Sequence, residues 1–305
     1  MLNSFGHRVA SAHTSMSAET AQTFRRAELP SAEFIFGSTP GMREVRKEIE
    51  RALHDDLPVL IEGESGTGKE MLGRFLHSHS PRGEGPFLRV NCTAMPAHLV
   101  EGEMFGYEKG AAVDARNVKS GFITLASGGT LFLDEIGDLD LKLQQKLTRA
   151  LTSNRYRRID GGEDLSISSR FVCATSLDLE TAVQNETVLA EMLGCFAHHR
   201  VRLLPLRERK EDIPQLCEYL LEKFARNFGQ PVPRLSSYVL GVFQQREWPG
   251  NIRELENWIA RIVIFGSEEA VGHERERTRQ ESLSRTHRAP RVKTSRRGKR
   301  SRRHT

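Results

Sequence analysis

One stretch of the sequence decides the fold: Ile61-Glu62-Gly63-Glu64-Ser65-Gly66-Thr67-Gly68-Lys69-Glu70. It follows a short apolar run from Pro58 to Ile61, which predicts a buried strand, and it leads into helical spacing from Met71 to His77. In a G-x-x-x-x-G-K loop between a strand and a helix, backbone N–H groups and the helix N-terminus bind a phosphate. We therefore predict a phosphate-binding loop in which Lys69 reaches the β- and γ-phosphates of a nucleotide.

A second nucleotide-binding pattern follows further along the chain: Ala126-Ser127-Gly128-Gly129-Thr130-Leu131-Phe132-Leu133-Asp134-Glu135. An apolar strand that ends in two carboxylates is a Walker B pattern, in which Asp134 holds Mg²⁺ and Glu135 polarises the attacking water. Carboxylates are common at strand ends, so the pattern gains its weight from the phosphate loop before it. Together the two motifs predict ATP and Mg²⁺ as cofactors. One residue departs from the general motif, because Glu70 stands where a Ser or Thr usually ligates Mg²⁺.

Short apolar runs alternate with helical spacing through the first two thirds of the chain. Further strands are predicted at Phe87 to Val90 and Phe171 to Ala174, and a helix at Lys142 to Leu151. Buried strands separated by helices are typical of an α/β fold, in which a parallel sheet is flanked by helices. Beyond residue 205 the spacing becomes helical, which predicts a small α-helical lid with segments at Ile213 to Phe228, Ser236 to Gln245 and Ile252 to Phe265. We expect a polar leader or linker at 1–33, an α/β nucleotide-binding core at 34–204, the lid at 205–271 and a basic, disordered tail at 272–305.

The charge of the chain is divided unevenly. The 305 residues include 45 Lys and Arg and 40 Asp and Glu, for a net charge of +5, but residues 273–305 alone carry +10 and the rest carries −5. The tail has almost no large apolar residues, so it cannot bury enough surface to offset the entropy of ordering. Two interpretations of the tail stay open: non-specific binding of nucleic acid phosphates, or a solvated extension without a ligand.

Several classes of protein do not fit the composition. No run of about 18 apolar residues is present, which argues against a membrane span. The four cysteines show no paired spacing, so we expect no disulfide framework and a cytoplasmic location. His198 and His199 lie near Cys195, but no further metal ligand follows at a suitable spacing, and we interpret the pair as a surface or interface turn.

Further motifs, added to the two nucleotide-binding stretches, resemble the AAA+ domain of bacterial sigma-54-dependent transcription activators. They are Asn91-Cys92, Glu103-Met104-Phe105-Gly106, Glu108-Lys109-Gly110, Pro205-Leu206-Arg207-Glu208-Arg209 and Trp248-Pro249-Gly250-Asn251-Ile252-Arg253-Glu254-Leu255. The resemblance covers about residues 34–271 and implies a P-loop AAA+ core in a hexameric ATPase that remodels the RNA polymerase holoenzyme. It also implies that Asn91 is the switch residue that restrains Glu135, and that Arg253 is the sensor II arginine that contacts nucleotide from the lid.

This sequence departs from the family's pattern in functional places. The signature loop G-A-F-T-G-A reads Gly110-Ala111-Ala112-Val113-Asp114-Ala115, and losing the aromatic anchor should weaken contact with the sigma-54 factor. Leu189 and Cys195 stand at the two arginine-finger positions, with Arg200 and Arg202 as distant substitutes. Ser176 replaces the sensor I Asn.

These departures shape the function that we predict. The leading hypothesis is an ATP-binding AAA+ regulator of bacterial transcription whose hydrolysis is weak, with Glu135, Asn91 and Ser176 as its catalytic residues. The alternatives are a nucleotide-gated interaction module that does not hydrolyse ATP, or a truncated or decaying activator without a DNA-binding domain.

Overall fold

The computed structural model describes residues 29–108 and 118–268, without the side chains of Ala97 and His98. Three features singled out above lie outside the described residues: residues 1–28 of the leader, the loop from Gly110 to Ala115, and the basic tail from 272 onward.

The strands are short, and five of them form one sheet. In the described residues they are β1 Val59–Glu62, β2 Phe87–Asn91, β3 Gly106–Tyr107, β4 Lys119–Ser120, β5 Thr130–Asp134, β6 Arg155–Tyr156, β7 Leu165–Ser166, β8 Arg170–Thr175 and β9 Arg200–Arg202. The main sheet has the order β2-β5-β8-β1-β9 and is parallel throughout. β3 pairs with β4 and β6 with β7 as small antiparallel ribbons. Parallel strands need crossover connections, and helices supply them here, which confirms the predicted α/β class.

The five helices predicted from the sequence are present within two residues of their predicted bounds, and the structure adds others. The helices are α1 Ala32–Phe36, α2 Pro40–Ala52, α3 Lys69–His79, α4 Ala97–Phe105, α5 Phe122–Leu125, α6 Leu141–Ser153, α7 Leu179–Gln184, α8 Ala190–Gly194, α9 Ile213–Phe228, α10 Ser237–Gln245 and α11 Asn251–Phe265. Local signals set several ends: the Asp140 carboxylate accepts a hydrogen bond from the Leu143 N–H at the start of α6, and Gly229, at φ 63°, ends α9.

The two faces of the sheet bury different clusters because side chains alternate along each strand. On β5, Leu131 and Leu133 pack into one apolar cluster while Phe132 packs into the other. On β8, Phe171 and Val172 divide in the same way. Both faces are therefore covered, and functional side chains are left to the carboxyl edge of the sheet.

The strand β9 was not predicted from the sequence. It has three residues, with one buried apolar side chain, Val201, between Arg200 and Arg202. So short an edge strand carries no periodic signal of its own, and its pairing with β1 depends on the register of the whole sheet. The structure thus places both arginines on the edge of the main sheet.

The three lid helices α9, α10 and α11 share an apolar cluster of their own. Leu216 and Leu220 are buried in it, as their spacing predicts. Trp248 is fully buried, and its indole Nε1 donates a hydrogen bond to the Phe243 carbonyl at 2.7 Å. Trp248 therefore fixes the turn that leads into α11.

The lid is tied to the core at Asp212. This buried carboxylate accepts hydrogen bonds from the backbone N–H and hydroxyl of Ser38 at 2.8 and 3.1 Å, and from those of Thr39 at 3.3 and 3.2 Å. Thr39 is the residue before α2, so one carboxylate connects the start of a core helix to the start of the lid. Across residues 29–108 and 118–268, no helix has both the length and the apolar character to span a bilayer.

Candidate functional site

The phosphate loop lies between the end of β1 and the start of α3. Gly66 and Gly68 have φ angles of 81° and 103°, in the left-handed region that favours glycine. The Lys69 side chain is buried, and its Nζ donates hydrogen bonds to the carbonyls of Gly63 at 2.8 Å and Glu64 at 3.4 Å. The Thr67 hydroxyl also donates to the Glu64 carbonyl, at 2.8 Å. The loop is therefore curled around its lysine, in the form needed to receive a phosphate.

Glu135 is held by two partners at the carboxyl edge of the sheet. Its Oε2 accepts hydrogen bonds from the N–H of Ser176 at 2.7 Å and from the Ser176 hydroxyl at 2.8 Å. Its Oε1 lies 3.5 Å from the Nζ of Lys69. Ser176, which directly follows β8, is thus brought onto the carboxylate predicted to polarise water.

The structure places Asn91 differently from the prediction. Asn91 is paired in register with Asp134, but its Oδ1 accepts hydrogen bonds from the N–H of Thr93 at 3.0 Å and from the Thr93 hydroxyl at 2.8 Å. This local turn occupies the amide oxygen, and Glu135 turns toward Ser176 instead. The predicted restraint of Glu135 by Asn91 is therefore not the arrangement found.

Most of the predicted Walker B stretch lies away from the site. Asp134 and Glu135 line the cleft beside the phosphate loop. A strand rises by about 3.3 Å per residue, so the preceding residues extend toward the opposite edge of the sheet. There the Ser127 hydroxyl contacts that of Ser168 at 2.6 Å and the Thr130 hydroxyl contacts His77 at 2.9 Å. A direct cofactor-binding role does not fit the positions of Ala126, Ser127, Gly128, Gly129, Thr130, Leu131, Phe132 and Leu133.

Arg89 is a residue of the site that the sequence analysis missed. Its Nη2 lies 2.7 Å from Asp134 Oδ2, and its Nε lies 3.1 Å from Glu70 Oε2. Arg74 contacts the other oxygen of Glu70 at 2.7 Å. The sequence does show a basic residue two positions before Asn91 in an otherwise apolar strand. Only the pairing of β2 with β5 shows that this residue lies beside Asp134.

Three consecutive residues at the start of α11 contact the phosphate loop from the lid. The Nδ2 of Asn251 donates hydrogen bonds to Glu64 Oε2 and to the Ser65 carbonyl, both at 3.1 Å. The N–H of Ile252 donates to the Gly66 carbonyl at 3.0 Å, and Nη1 of Arg253 donates to the Ser65 hydroxyl at 3.0 Å. The predicted sensor II arginine therefore lies on the loop itself.

Glu64 faces the lid rather than the cleft. Its carboxylate forms a two-pronged pair with Arg207, at 2.6 and 2.9 Å. The hydrogen bonds from Arg207 and then from Asn251 lower the pKa of Glu64 below its ordinary value. Glu64 was predicted to bind cofactor, but its contacts make it a link between loop and lid.

The cleft between core and lid is lined by both. Beside the phosphate loop it includes Phe34 and Tyr219, whose ring centroids lie 3.8 Å apart, and the lid pair Lys223 and Glu256 at 3.1 Å. An apolar end with aromatic rings and a polar end with lysine and carboxylates suit a nucleotide.

The donors at the polar end also fit Mg²⁺. Mg²⁺ usually takes one or two carboxylates together with phosphate oxygens and waters, and Asp134 and Glu70 present carboxylates on either side of Arg89. The described residues contain no cluster of three or more His, Cys, Asp or Glu suited to a metal.

Burial, reinforced by the charge of Asp134, raises the pKa of the neighbouring Cys92 thiol to about 12, so the thiol stays protonated.

The positions predicted for arginine fingers carry neutral side chains on the far side of the sheet. The Leu189 N–H donates to Gln144 Oε1 at 2.9 Å, and Cys195 lies partly exposed after α8. Arg200 is committed elsewhere: it contacts Glu62 at 2.6 Å and Glu180 at 2.6 Å, and these carboxylates, Glu180 first, raise its pKa. His199 is buried and contacts Asp55 at 2.8 Å, so the surface-turn interpretation was wrong for it.

Comparison with known families identifies two segments. Residues 35–201 match the sigma-54 interaction domain, and residues 207–290 match the AAA+ ATPase lid domain.

Individual relatives agree with these matches. The chain is 43% identical over 226 residues to the Nif-specific regulatory protein of Azospirillum brasilense, covering 74% of this chain and 36% of that protein. It is 40% identical over 242 residues to the DNA-binding transcriptional regulator NtrC of Klebsiella pneumoniae, covering 79% and 51%. The chain thus spans between about a third and a half of these relatives.

A solved structure shows the same architecture. The structure of NtrX from Brucella abortus in complex with ATP has a TM-score of 0.71 and 27% identity, and the match covers 86% of this chain and 55% of that one.

Proposed function

This chain belongs to the sigma-54 interaction domain family, and we propose that it is an ATP-binding AAA+ regulator of bacterial transcription that hydrolyses ATP weakly. One observation carries the proposal: the lid helix α11 and the phosphate loop are hydrogen-bonded to each other around a cleft that holds Lys69, Asp134 and Glu135.

Each residue has a defined task in this proposal. When ATP binds, the Nζ of Lys69 leaves the loop carbonyl of Gly63 and contacts the β- and γ-phosphates. The N–H groups of the loop bind the same phosphate oxygens. Asp134 and Glu70 would hold Mg²⁺, which would supply positive charge beside the phosphates. Glu135, oriented by Ser176, accepts a proton from the attacking water. Arg253 reaches the nucleotide from the lid.

We expect weak hydrolysis because neither predicted arginine-finger position carries an arginine. An arginine supplied by a neighbouring subunit accelerates related phosphoryl transfer by about 10³ to 10⁵. Leu189 and Cys195 supply no charge, and Arg200 would have to leave both Glu62 and Glu180 to act on a neighbour. Binding should therefore persist while turnover is low.

Side-by-side measurements of binding and turnover test the proposal. We expect a fluorescent ATP analogue to bind wild type and Glu135→Gln, and Lys69→Ala to lose binding. Phosphate release should be about a thousandfold slower than for purified NtrC of Klebsiella pneumoniae under the same conditions. Turnover equal to that of the relative, and lost in Glu135→Gln, would overturn the claim of weak hydrolysis. Absence of nucleotide binding would overturn the proposal as a whole.

A second function is favoured by the direct contacts between lid and loop. Because Asn251, Ile252 and Arg253 all contact the loop, filling the loop with phosphate changes the contacts of the lid. The chain would then act as a nucleotide-gated interaction module without needing turnover. Binding of ATP with no detectable phosphate release supports this function over the first.

The sigma-54 factor is the partner that we propose, in a ring of several copies, as the family match suggests. Contact should be weak because Ala112 replaces the aromatic residue of the family's signature loop. Co-elution of purified sigma-54 factor with the chain and a non-hydrolysable ATP analogue measures this. Tight co-elution would contradict the predicted weakness.

A further inference from the structure

Arg89 occupies an unusual place in the cleft. It projects from β2 between two acidic residues, at 2.7 Å from Asp134 and 3.1 Å from Glu70. The guanidinium is a planar fork, so one side chain contacts a carboxylate on β5 and another on α3 at the same time. Arg89 is thus a bridge across the polar end of the cleft.

The charges at this end of the cleft balance. Three carboxylates, Glu70, Asp134 and Glu135, meet three cations, Lys69, Arg74 and Arg89. Removing Arg89 alone leaves Asp134 without the cation that now contacts it. A nucleoside triphosphate brings several further negative charges. It can bind without a metal only if the three cations offset the repulsion from the three carboxylates.

The contact of Arg89 with Glu70 is poorly directed. The Nε of Arg89 is buried and makes no hydrogen bond of acceptable geometry within the described residues, although it lies 3.1 Å from Glu70. A buried donor without a hydrogen bond is costly. The Glu70 side of the bridge is therefore held by charge alone, which favours exchange with another cation there, while on the other side Nη2 donates a hydrogen bond to Asp134 at 2.7 Å.

We propose that Arg89 is a resident counter-ion that stands in for the divalent cation at Asp134 and Glu70, so that nucleotide binds without metal and the metal enters by displacing Arg89. This inference rests on the proposed nucleotide binding. It makes Arg89 a positioning residue, since it acts through Asp134 and the metal.

Two measurements test the role of Arg89. The first is the dissociation constant of a fluorescent ATP analogue in EDTA and in Mg²⁺. We expect Arg89→Met to weaken binding in EDTA by about tenfold, with a much smaller change in Mg²⁺, as expected for the loss of one charge in a partly solvated site. The dissociation constant of Arg89→Lys in EDTA should lie between those of wild type and Arg89→Met. A single ammonium keeps the charge but cannot bridge both carboxylates.

The second measurement uses Mn²⁺ as the probe on nucleotide-free protein, read by electron paramagnetic resonance. Arg89→Met should bind Mn²⁺ about tenfold more tightly than wild type, because the competing cation is gone. Arg82→Met is the matched control: Arg82 also contacts an aspartate, Asp56 at 2.8 Å, but lies outside the cleft. It should change neither measurement.

The outcomes separate this inference from the proposed function. Equal Mn²⁺ affinity in wild type and Arg89→Met, or an unchanged ratio of EDTA to Mg²⁺ binding, overturns the role of Arg89 even if ATP binds. If no nucleotide binds to wild type in either condition, the proposed function fails, and the Mn²⁺ comparison still decides whether Arg89 competes with metal. If Arg89→Met does not fold, Arg89→Lys carries both measurements.

Discussion

Single residues in this protein do their work through neighbours that are distant in sequence. Ser176, which was predicted at the sensor I position, gives Glu135 two hydrogen bonds through its N–H and hydroxyl, so the carboxylate is oriented from the end of β8. His77 is a structural example. It is buried at the junction of α3 and β5, where its Nδ1 lies 2.9 Å from the Thr130 hydroxyl. Hydrogen-bond partners orient Glu135, whereas burial governs the behaviour of His77.

Burial of His77 makes stability depend on pH. Burial lowers the pKa of the His77 imidazole below its ordinary value of 6.5. Near pH 6.5 the unfolded chain therefore binds a proton at His77 while the folded protein leaves the imidazole neutral. The free energy of unfolding consequently falls as the pH drops through that range. His77→Gln keeps a polar partner for Thr130 but does not titrate. Between pH 7.5 and 5.5 its stability should fall less steeply than that of wild type, by at most about 1.4 kcal/mol per pH unit.

Urea denaturation at the two pH values measures this difference. His198→Gln is the control for the substitution itself, because it makes the same change at an exposed position and should keep wild-type stability at pH 7.5. Equal slopes for wild type and His77→Gln would show that His77 does not contribute to the pH dependence.

At the scale of elements, the phosphate loop caps the lid helix α11. The first N–H groups of any helix lack partners within the helix. In α11 the Gly66 carbonyl accepts from the N–H of Ile252 at 3.0 Å and of Arg253 at 3.4 Å. Gly66 has no room for a side chain, since a Cβ there would lie 2.4 Å from the Gly250 carbonyl. The loop and the lid helix therefore form one structural unit.

Asn251 is the residue that should best report on this unit. It is fully buried, its Oδ1 accepts from the Leu206 N–H at 2.8 Å, and its Nδ2 donates to Glu64 and Ser65. Asn251→Ala leaves the buried Leu206 N–H without that partner, and we expect a loss of about 1 to 3 kcal/mol in the free energy of unfolding. ATP affinity should fall as well, because the loop loses its contact with the lid.

Chemical denaturation and binding of a fluorescent ATP analogue measure these two effects. The control is Asn227→Ala, an exposed asparagine on α9, which should change neither. Stability lost without any loss of affinity would mean that Asn251 supports the lid but does not act on the loop.

The sequence predicts those parts of the site whose chemistry is local. Lys69 and the Asp134–Glu135 pair are found from short motifs, because loop and strand end each need a fixed residue order. Arg89 was missed because its role depends on β2 lying beside β5, which no local pattern states. The strand β9 was missed because three residues carry no periodicity. The contact of Asn91 with Thr93 was not foreseen, because a local turn competes for the amide that was predicted to restrain Glu135.

At the scale of the whole molecule, core and lid are separate clusters joined across the nucleotide cleft. The contacts between them include Asp212 with Ser38 and Thr39, the rings of Phe34 and Tyr219, and the pair of Glu64 with Arg207. Much of this junction is polar and adjoins the cleft, so ligand binding and docking of the lid should depend on each other. Outside the last 33 residues the net charge is −5, so the overall charge of this part does not attract phosphate. Phosphate binding must therefore depend on the local groups of the cleft.

Two natural probes separate lid from core. Both tryptophans of the chain, Trp248 and Trp258, lie in the lid cluster, so intrinsic fluorescence reports on the lid. Cys173 is buried in the core, where burial raises its pKa well above the ordinary value, so it reacts with alkylating reagents only when the core opens. In wild type, the urea midpoints from fluorescence and from pulsed alkylation of Cys173 should coincide, because the polar junction couples the two clusters.

Breaking the junction should separate the two midpoints. In the double variant Arg207→Ala/Asn251→Ala, Glu64 loses both of its lid partners, and the lid midpoint should fall below the core midpoint. ATP with Mg²⁺ should then shift the lid midpoint upward, because ligand at 100 times its dissociation constant adds about 2.7 kcal/mol to any state that binds it. Midpoints that stay together in the double variant would show that the remaining contacts, those of Asp212 and the ring pair of Phe34 and Tyr219, suffice to couple lid and core. Midpoints already separate in wild type would show that the lid opens independently, and nucleotide would then have to close it.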